Sequence, residues 1–465
     1  MSKIVIKFGG SNFKTKEDIQ KVIQLVKTYN QSVVIVVSAL FGVTNQLIEL
    51  IEKAKTGSVN INQLSRWLSD IHEKTLIANT SDSHFQEKVL EELKVQIREV
   101  KKLLIGIHCF REVPPFVYDA VLSYGEKLSS LLLSRIFEAE GLENENLFVE
   151  DIPLYTDGEY GNASVDFERS KEAVRNRLNE NKTFIIPGFY GISYDEQKTT
   201  LLGRGGTDYS AAAIAKLIGA PSLDIWKDVN GFLSADPKIV DGSRRIDQLS
   251  YMEAAELAYF GAKILHPRTV EPLIEDNIPI RIFNINQYME GIKPLSIISA
   301  EIPEAEDAVR SITYTDDIGL LKLRGPSVGI KPGILGKAAT QLDQAEINIR
   351  SVITSQISIN FFLSERDLFK AKKALEQTRI PEIGELLTVE GISKIAVIGK
   401  NIVHKEGIAT RIFGAVAREG INMDIIALGA SPSVAYFIVK KEDRSNALKA
   451  IHEEFFPVED EMIVD

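Results

Sequence analysis

Up to about Asn230 the chain alternates two hydrophobic patterns. Short runs of consecutive β-branched and apolar residues are separated by stretches in which apolar positions recur every three to four residues. Ile4–Phe8 reads as a strand ending in Gly9-Gly10. Thr15-Lys16-Glu17-Asp18 has the form of a capping box, opening a helix that runs to about Thr28. Val33–Val37 is an unbroken β-branched run, the mark of a strand buried on both faces. A helix is expected near Asn45–Lys55, with Leu47, Ile48, Ile51 and Ala54 on one face. Residues 60–105 are polar, charged and helical in pattern, and strands are expected again at Thr183–Pro187 and Ser222–Trp226. This alternation implies an α/β domain with a largely parallel sheet. Ligands of such sheets sit beyond the carboxyl ends of the strands, so the loops there are where chemistry belongs.

After about residue 315 the pattern changes to an internal repeat. Gly333-Ile334 recurs as Gly407-Ile408, Leu342 as Val416, and Ile347-Asn348 as Ile421-Asn422, each displaced by 74 positions (333 to 407). Each copy reads as a Gly turn, a helix, then a β-rich run (Val352–Leu363 and Ile425–Val439). A second helix follows, near Asp367–Gln377 and Arg444–Phe455. That is a βαββαβ-like, ferredoxin-like unit, present twice.

Composition narrows the function classes. Lys plus Arg total 54 and Asp plus Glu 65, a net charge of −11, which argues against a nucleic-acid partner and does not bear on binding one nucleotide. Cys109 is the one cysteine, so no internal disulfide and no cysteine metal site can form, and a reducing compartment is expected. No stretch has the roughly 20 apolar residues that span a bilayer, and the N-terminus resembles neither a signal nor a transit peptide, so no membrane association and a cytoplasmic location are expected.

Six segments carry candidate chemistry. Lys7-Phe8-Gly9-Gly10-Ser11 follows a strand; its glycine amides can approach a phosphate and Lys7 can supply charge, or it is a plain turn. Ser38–Asn45 places small hydroxyls between a strand and a helix, suited to an anion or polar substrate, or Thr44 or Asn45 simply caps the helix. Glu126 precedes an apolar helical run and can hold an ammonium, or it is a first-turn acid complementing the helix dipole. Gly203-Arg204-Gly205-Gly206-Thr207-Asp208 opens a helix of small residues. Arg204 can clamp a carboxylate, and Asp208 can orient a lysine. It is neither a Rossmann fingerprint nor a Walker loop. Trp226–Lys238 brings Asp228 to a strand end and Lys238 into Asp236-Pro237-Lys238, and Tyr259–Pro267 follows the helical stretch Tyr251–Ala258 and contains Lys263 and His266. The remaining histidines show no metal-ligand spacing, so no protein-built metal site is expected.

Taken in order, these segments resemble the aspartate kinases over essentially the whole chain. The match rests on Lys7-Phe8-Gly9-Gly10, Val36–Ala39 with Gly42–Asn45, Gly203–Asp208 and Phe260–Pro267. The resemblance implies an amino-acid kinase-like αβα sandwich followed by two ferredoxin-like ACT modules, small effector-binding and dimerising units. It places the catalytic domain at 1–300 and the first module at 315–390. The second module is 305–314 plus 391–465, because the family threads the first module into the second. It implies transfer of the ATP γ-phosphate to the side-chain carboxylate of L-aspartate, the first step toward lysine, threonine and methionine, with Mg²⁺ carried by ATP. Lys7 with Gly9 and Gly10 would stabilise the phosphoryl group, Asp208 would orient Lys7, Arg204 would clamp the α-carboxylate and Glu126 would hold the ammonium. Ser38, Thr44 and Thr207 would line the acceptor pocket, and Asp228, Lys238 and Lys263 the nucleotide side. Gly333, Ile334, Asn348 and Ser355 are the implied effector contacts, and a homodimer or dimer of dimers the implied assembly. The length is expected to leave no room for the homoserine dehydrogenase half of bifunctional relatives.

The sequence also departs from the family pattern. Ser11-Asn12 stands where Thr-Ser or Ser-Ser is usual, Lys227 where threonine is common, and Leu233 where an aromatic residue often lies beside the adenine. Lysine-inhibited members carry an acid where this chain has Arg350, which implies that lysine is not bound in the usual way. The alternatives are another amino-acid kinase, or a catalytically weakened ACT-type amino-acid sensor.

Overall fold

The computed structural model describes residues 3–58, 61–262, 264–301, 308–378 and 380–457. The chain forms two compact units. One comprises Met1–Phe232, Arg245–Ala258 and Lys263–Pro303; the other comprises Leu233–Arg244, Tyr259–Ala262 and Glu304–Asp465.

The first unit is built on an eight-stranded sheet. Its order is Gln248–Leu249, Ser296–Ile298, Ile280–Asn284, Leu223–Lys227, Val5–Phe8, Val34–Val37, Thr183–Pro187 and Asn144–Asn146. All pairings are parallel except Ser296–Ile298 against Ile280–Asn284. The four central strands Leu223–Lys227, Val5–Phe8, Val34–Val37 and Thr183–Pro187 are almost wholly buried, as their continuous apolar runs require. Pairing of Phe8 with both Val37 and Trp226 brings their carboxyl ends to one edge. The helix Lys16–Thr28 starts where the capping box put it: Thr15 Oγ1 accepts from Asp18 N–H and Asp18 Oδ2 from Thr15 N–H, both at 3.2 Å. The expected helical stretch at 60–105 is two helices, Ile61–Asn79 and Ser83–Phe110.

One long helix was legible only in part, as the apolar run after Glu126, and its start lies well before that acid. Pro115–Ala139 is buried on nearly every side, so its apolar positions do not confine themselves to one face. Glu126 therefore lies in mid-helix, and the first-turn reading of that acid is corrected.

The second unit contains two four-stranded antiparallel sheets. Gly319–Arg324, Ile334–Gln344, Ser351–Ser355, Ser358–Leu363, Leu368–Thr378 and Glu385–Val389 run βαββαβ, with Gly319–Arg324 and Ser358–Leu363 central. Ile392–Ile398, Ile408–Arg418, Ile425–Leu428, Val434–Lys440 and Arg444–Phe455 form the second copy. Its edge strand, Ser311–Thr315, comes from before the first copy and pairs antiparallel with Ile392–Ile398. Both first helices have 11 residues and follow a left-handed glycine, Gly333 or Gly407.

Two segments expected within 1–300 belong to this second unit instead. Leu233–Arg244 is held there because Ser234 O accepts from Ile312 N–H at 2.7 Å, Ser234 Oγ meets His452 Nε2 at 2.9 Å, and Ala235 and Val240 enter the apolar core. Tyr259–Ala262 is held by Tyr259 Oη donating to Arg350 O at 2.7 Å, and Gly261 at positive φ lies so close to Tyr314 O that a Cβ would sit 2.0 Å from it.

Candidate active site

A cavity of about 400 Å³ opens at the carboxyl edge of the central strands. Lys7, Gly10, Ser38, Thr44, Glu126, Thr207 and Asp208 all line it, joined by Phe41 and Phe189 from neighbouring loops. Residues from five distant segments thus converge, as the parallel topology demands.

Lys7 comes from the strand Val5–Phe8, and Asp208 from the first turn of the helix Gly206–Ile218. Lys7 Nζ lies 2.5 Å from Asp208 Oδ1, with both side chains buried. Lys227, at the end of the next strand, reaches Asp208 Oδ2 at 3.4 Å and donates to Ile264 O. Burial opposes ionisation of Asp208, but the Lys227 and Lys7 charges outweigh it and hold the carboxyl at about 2. Burial pushes Lys7 below its ordinary value; Asp208 resists that push and Lys227 adds to it.

Glu126 is buried facing this group, and its Oε2 has no hydrogen-bond partner among the described residues. Burial pushes it up to about 8, against the backbone N–H of Ala39 and the Lys7 charge. Close packing sets the walls. A Cβ on Gly10 would meet Ala39 O at 2.8 Å, and one on Gly188 would meet Thr207 Cγ2 at 2.6 Å. Ser129 Oγ donates to Ser38 O at 2.8 Å, tying the long helix to the hydroxyl loop.

Other expected residues fall differently. The Gly9 N–H donates to Asn12 Oδ1 at 2.9 Å, so Gly10, and not Gly9, faces the cavity; the Asn12 departure supplies this cap. Gly42 at φ +84° is the N-cap of Val43–Thr56, so Thr44 and Asn45 sit inside the first turn and neither caps it. Arg204 is exposed on the Gly-rich turn and outside the cavity lining. Asp228 is exposed at its strand end, and Lys238 is exposed on the Leu233–Arg244 segment of the second unit. Lys263 lies outside the described residues. In the second unit Gly333 is the left-handed N-cap of its helix, the Ile334 side chain is buried in the core, and Asn348 and Ser355 are exposed. Arg350 pairs with Asp317 at 2.5 Å.

Lys227 was missed as a site residue because it was read only as a departure in an otherwise familiar motif. Its place at the end of a buried parallel strand beside Val5–Phe8 was the available signal. No group of three or more His, Cys, Asp or Glu that can hold a metal occurs among the described residues. No helix among them is long and apolar enough to cross a membrane.

Residues 2–284 match the amino acid kinase family, and residues 395–455 match the ACT domain. Lysine-sensitive aspartokinase 3 of Escherichia coli (strain K12) is 28% identical over 473 residues, covering 98% of this chain and 100% of that protein. The bifunctional aspartokinase/homoserine dehydrogenase of Buchnera aphidicola is 29% identical over 473 residues, covering 97% of this chain; the chain spans 56% of that relative's length. The crystal structure of E. coli aspartokinase III in complex with aspartate and ADP (R-state) superposes with a TM-score of 0.81 at 26% identity, covering 98% of this chain and 100% of that one. With its sheet, cavity and family match in agreement, the chain belongs to the amino acid kinase family, carries an ACT domain, and is similar to aspartokinases over nearly its whole length.

Proposed function

We propose that this chain is an aspartate kinase, transferring the γ-phosphate of ATP to the side-chain carboxylate of L-aspartate to give 4-phospho-L-aspartate. The observation that carries the reading is the buried Lys7–Asp208 pair, braced from behind by half-buried Lys227, lining one cavity with Glu126. The structure of E. coli aspartokinase III with aspartate and ADP, similar over 98% of the chain, supports it.

Phosphoryl transfer asks for positioning and charge neutralisation. Lys7 stabilises the transferring phosphoryl oxygens, and the Gly10 turn lets them approach the backbone. Asp208 holds Lys7 in line and is not a base, since the acceptor carboxylate is already ionised at neutral pH. Glu126 takes the acceptor ammonium. Arg204, exposed on its turn, folds over the α-carboxylate, and Ser38, Thr44 and Thr207 complete the acceptor side. Roles for Asp228 and Lys263 toward the nucleotide stand as part of this proposal; the Gly9 N–H is already taken by Asn12, and Lys238 belongs to the second unit.

Both Asp208 oxygens are engaged by lysines, so this carboxylate is not offered to a metal; the donor chemistry fits an ion held by the phosphates of ATP. Mg²⁺ so bound would neutralise phosphate charge. The module boundaries 315–390 and 305–314 plus 391–465, an amino-acid effector near Gly333, Ile334, Asn348 and Ser355, a dimer or dimer of dimers, and a cytoplasmic setting belong to the same proposal.

The test is incubation with ATP, Mg²⁺ and aspartate or glutamate, trapping the acyl phosphate as hydroxamate. Aspartate-dependent hydroxamate is expected; its absence would refute the reading, and a preference for glutamate would redirect it to another amino-acid kinase.

A further inference from the structure

The Gly203–Gly206 turn carries Arg204 at its centre and delivers Thr207 and Asp208 to the cavity, yet with glycines at φ +74° and +70° its own restraint is the one hydrogen bond from Gly206 N–H to Gly203 O at 3.0 Å. Something outside the turn must hold it. Arg268, just beyond the Phe260–Pro267 motif, does this with four hydrogen bonds. Its Nη1 donates to Leu202 O at 2.9 Å, the last carbonyl before the turn, and to Asn162 Oδ1 at 3.0 Å. Its Nη2 donates to Ala163 O at 2.8 Å and Ser164 Oγ at 3.2 Å. The guanidinium lies over the Tyr209 ring, 4.4 Å from its centroid, and Tyr209 Oη accepts from Val165 N–H at 3.2 Å.

The turn is clasped on its other faces as well. A Cβ on Gly203 would fall 2.7 Å from Asn162 Oδ1, and one on Gly205 would fall 2.3 Å from His266 Cβ. Asp119 takes the N–H groups of Leu201 and Gly161, each at 2.8 Å. A planar fork of donors suits this task, because one side chain can satisfy carbonyls from two loops at once; lysine offers a single charged point.

We propose that Arg268 is a positioning residue for the acceptor half of the site. It locks the 202–208 turn against the 161–164 loop, so that Arg204 and Thr207 meet the acceptor in one geometry. The kinetic part of this inference rests on the proposed aspartate kinase activity.

Two measurements on Arg268→Lys and Arg268→Ala test it. Amide hydrogen exchange over 202–208 is expected to quicken about tenfold in Arg268→Lys, with the sheet strands unchanged. In turnover, KM for aspartate is expected to rise about tenfold while KM for ATP stays within about twofold, and methylguanidinium is expected to restore the Ala variant. Unchanged exchange over 202–208 would overturn the proposal, whatever the enzyme's substrate. So would a normal KM for aspartate in Arg268→Lys, or KM values for ATP and aspartate that rise together. A wild-type chain without aspartate turnover sinks the functional reading alone, because the exchange measurement still decides the positioning role. Should the Ala variant fail to fold, the Lys variant carries both measurements.

Discussion

Lys7 can be both buried and charged because Asp208 meets it at 2.5 Å, while Lys227 keeps Asp208 ionised from the far side. A buried charge left alone costs several kcal/mol, so the three groups depend on one another. Lys7→Ala leaves Asp208 with Lys227 and should therefore fold, while removing the charge at the transferring phosphoryl group. A loss of about 10²–10³-fold in kcat is expected, with a cooperative melting curve shifted to lower temperature. Hydroxamate turnover and thermal unfolding check the two halves of that statement. Glu126 adds a pH dependence. Its carboxyl titrates near 8, and an acceptor ammonium prefers the ionised form. Below that pH, binding must expel a proton, so KM for aspartate should rise as pH falls, approaching about tenfold per unit. Above it KM should level off. For stability the sign is opposite: a carboxyl raised by burial carries no charge-burial cost while protonated, and stability declines as pH climbs from the ordinary carboxylate range through 8. Glu126→Gln should flatten the KM profile; a variant that keeps the wild-type slope would remove Glu126 from this role.

Elements bring these residues together through close contacts that only small residues permit. Gly188 ends the strand Thr183–Pro187 where the helix Gly206–Ile218 begins to pass over it, with Thr207 in between. Gly188→Ala would put a Cβ 2.6 Å from Thr207 Cγ2 and 3.0 Å from its Cα, so the helix start must move. A destabilisation of about 1–3 kcal/mol is expected, with kcat/KM for aspartate falling further than stability alone explains. Denaturant unfolding beside steady-state kinetics measures both. The same elements show what the sequence made legible. The Thr15–Asp18 capping box, the Val33–Val37 strand and the helix after the Gly-rich turn are local signals, and each appears within a residue or two of its expected place. The helix Pro115–Ala139 is not local in that sense. Buried on nearly all faces, it has no amphipathic period to mark its start, so Glu126 at its middle stayed open to two readings, an ammonium holder or a first-turn acid. Lys227 and Arg268 were overlooked for a related reason. Their roles depend on partners far along the chain, Asp208 for one and the 161–164 and 202 carbonyls for the other.

At the scale of the molecule, the 74-residue repeat is exact where it was first noticed and then drifts. The first helices start 74 residues apart (334 and 408), the second helices 76 (368 and 444). What periodicity could not show is that the two copies are interlocked. Ser311–Thr315 precedes the first copy and completes the sheet of the second, so the chain must close the second around the first. The copies also share apolar packing: Ile318, Leu320 and Phe362 from the first form one buried cluster with Ile392 and Ile438 from the second. Two repeats tied by both a strand and a common core should not unfold separately. Phe362→Ala tests this, because it removes a fully buried ring from the shared cluster and leaves each copy's own core intact. The expected cost is about 3–5 kcal/mol. Amide exchange should then show Gly319–Arg324 and Ile392–Ile398 losing protection together and by a similar factor. If Ile392–Ile398 kept its wild-type protection while Gly319–Arg324 opened, the copies would be independent folding units, and the shared cluster would be a contact without cooperative consequence.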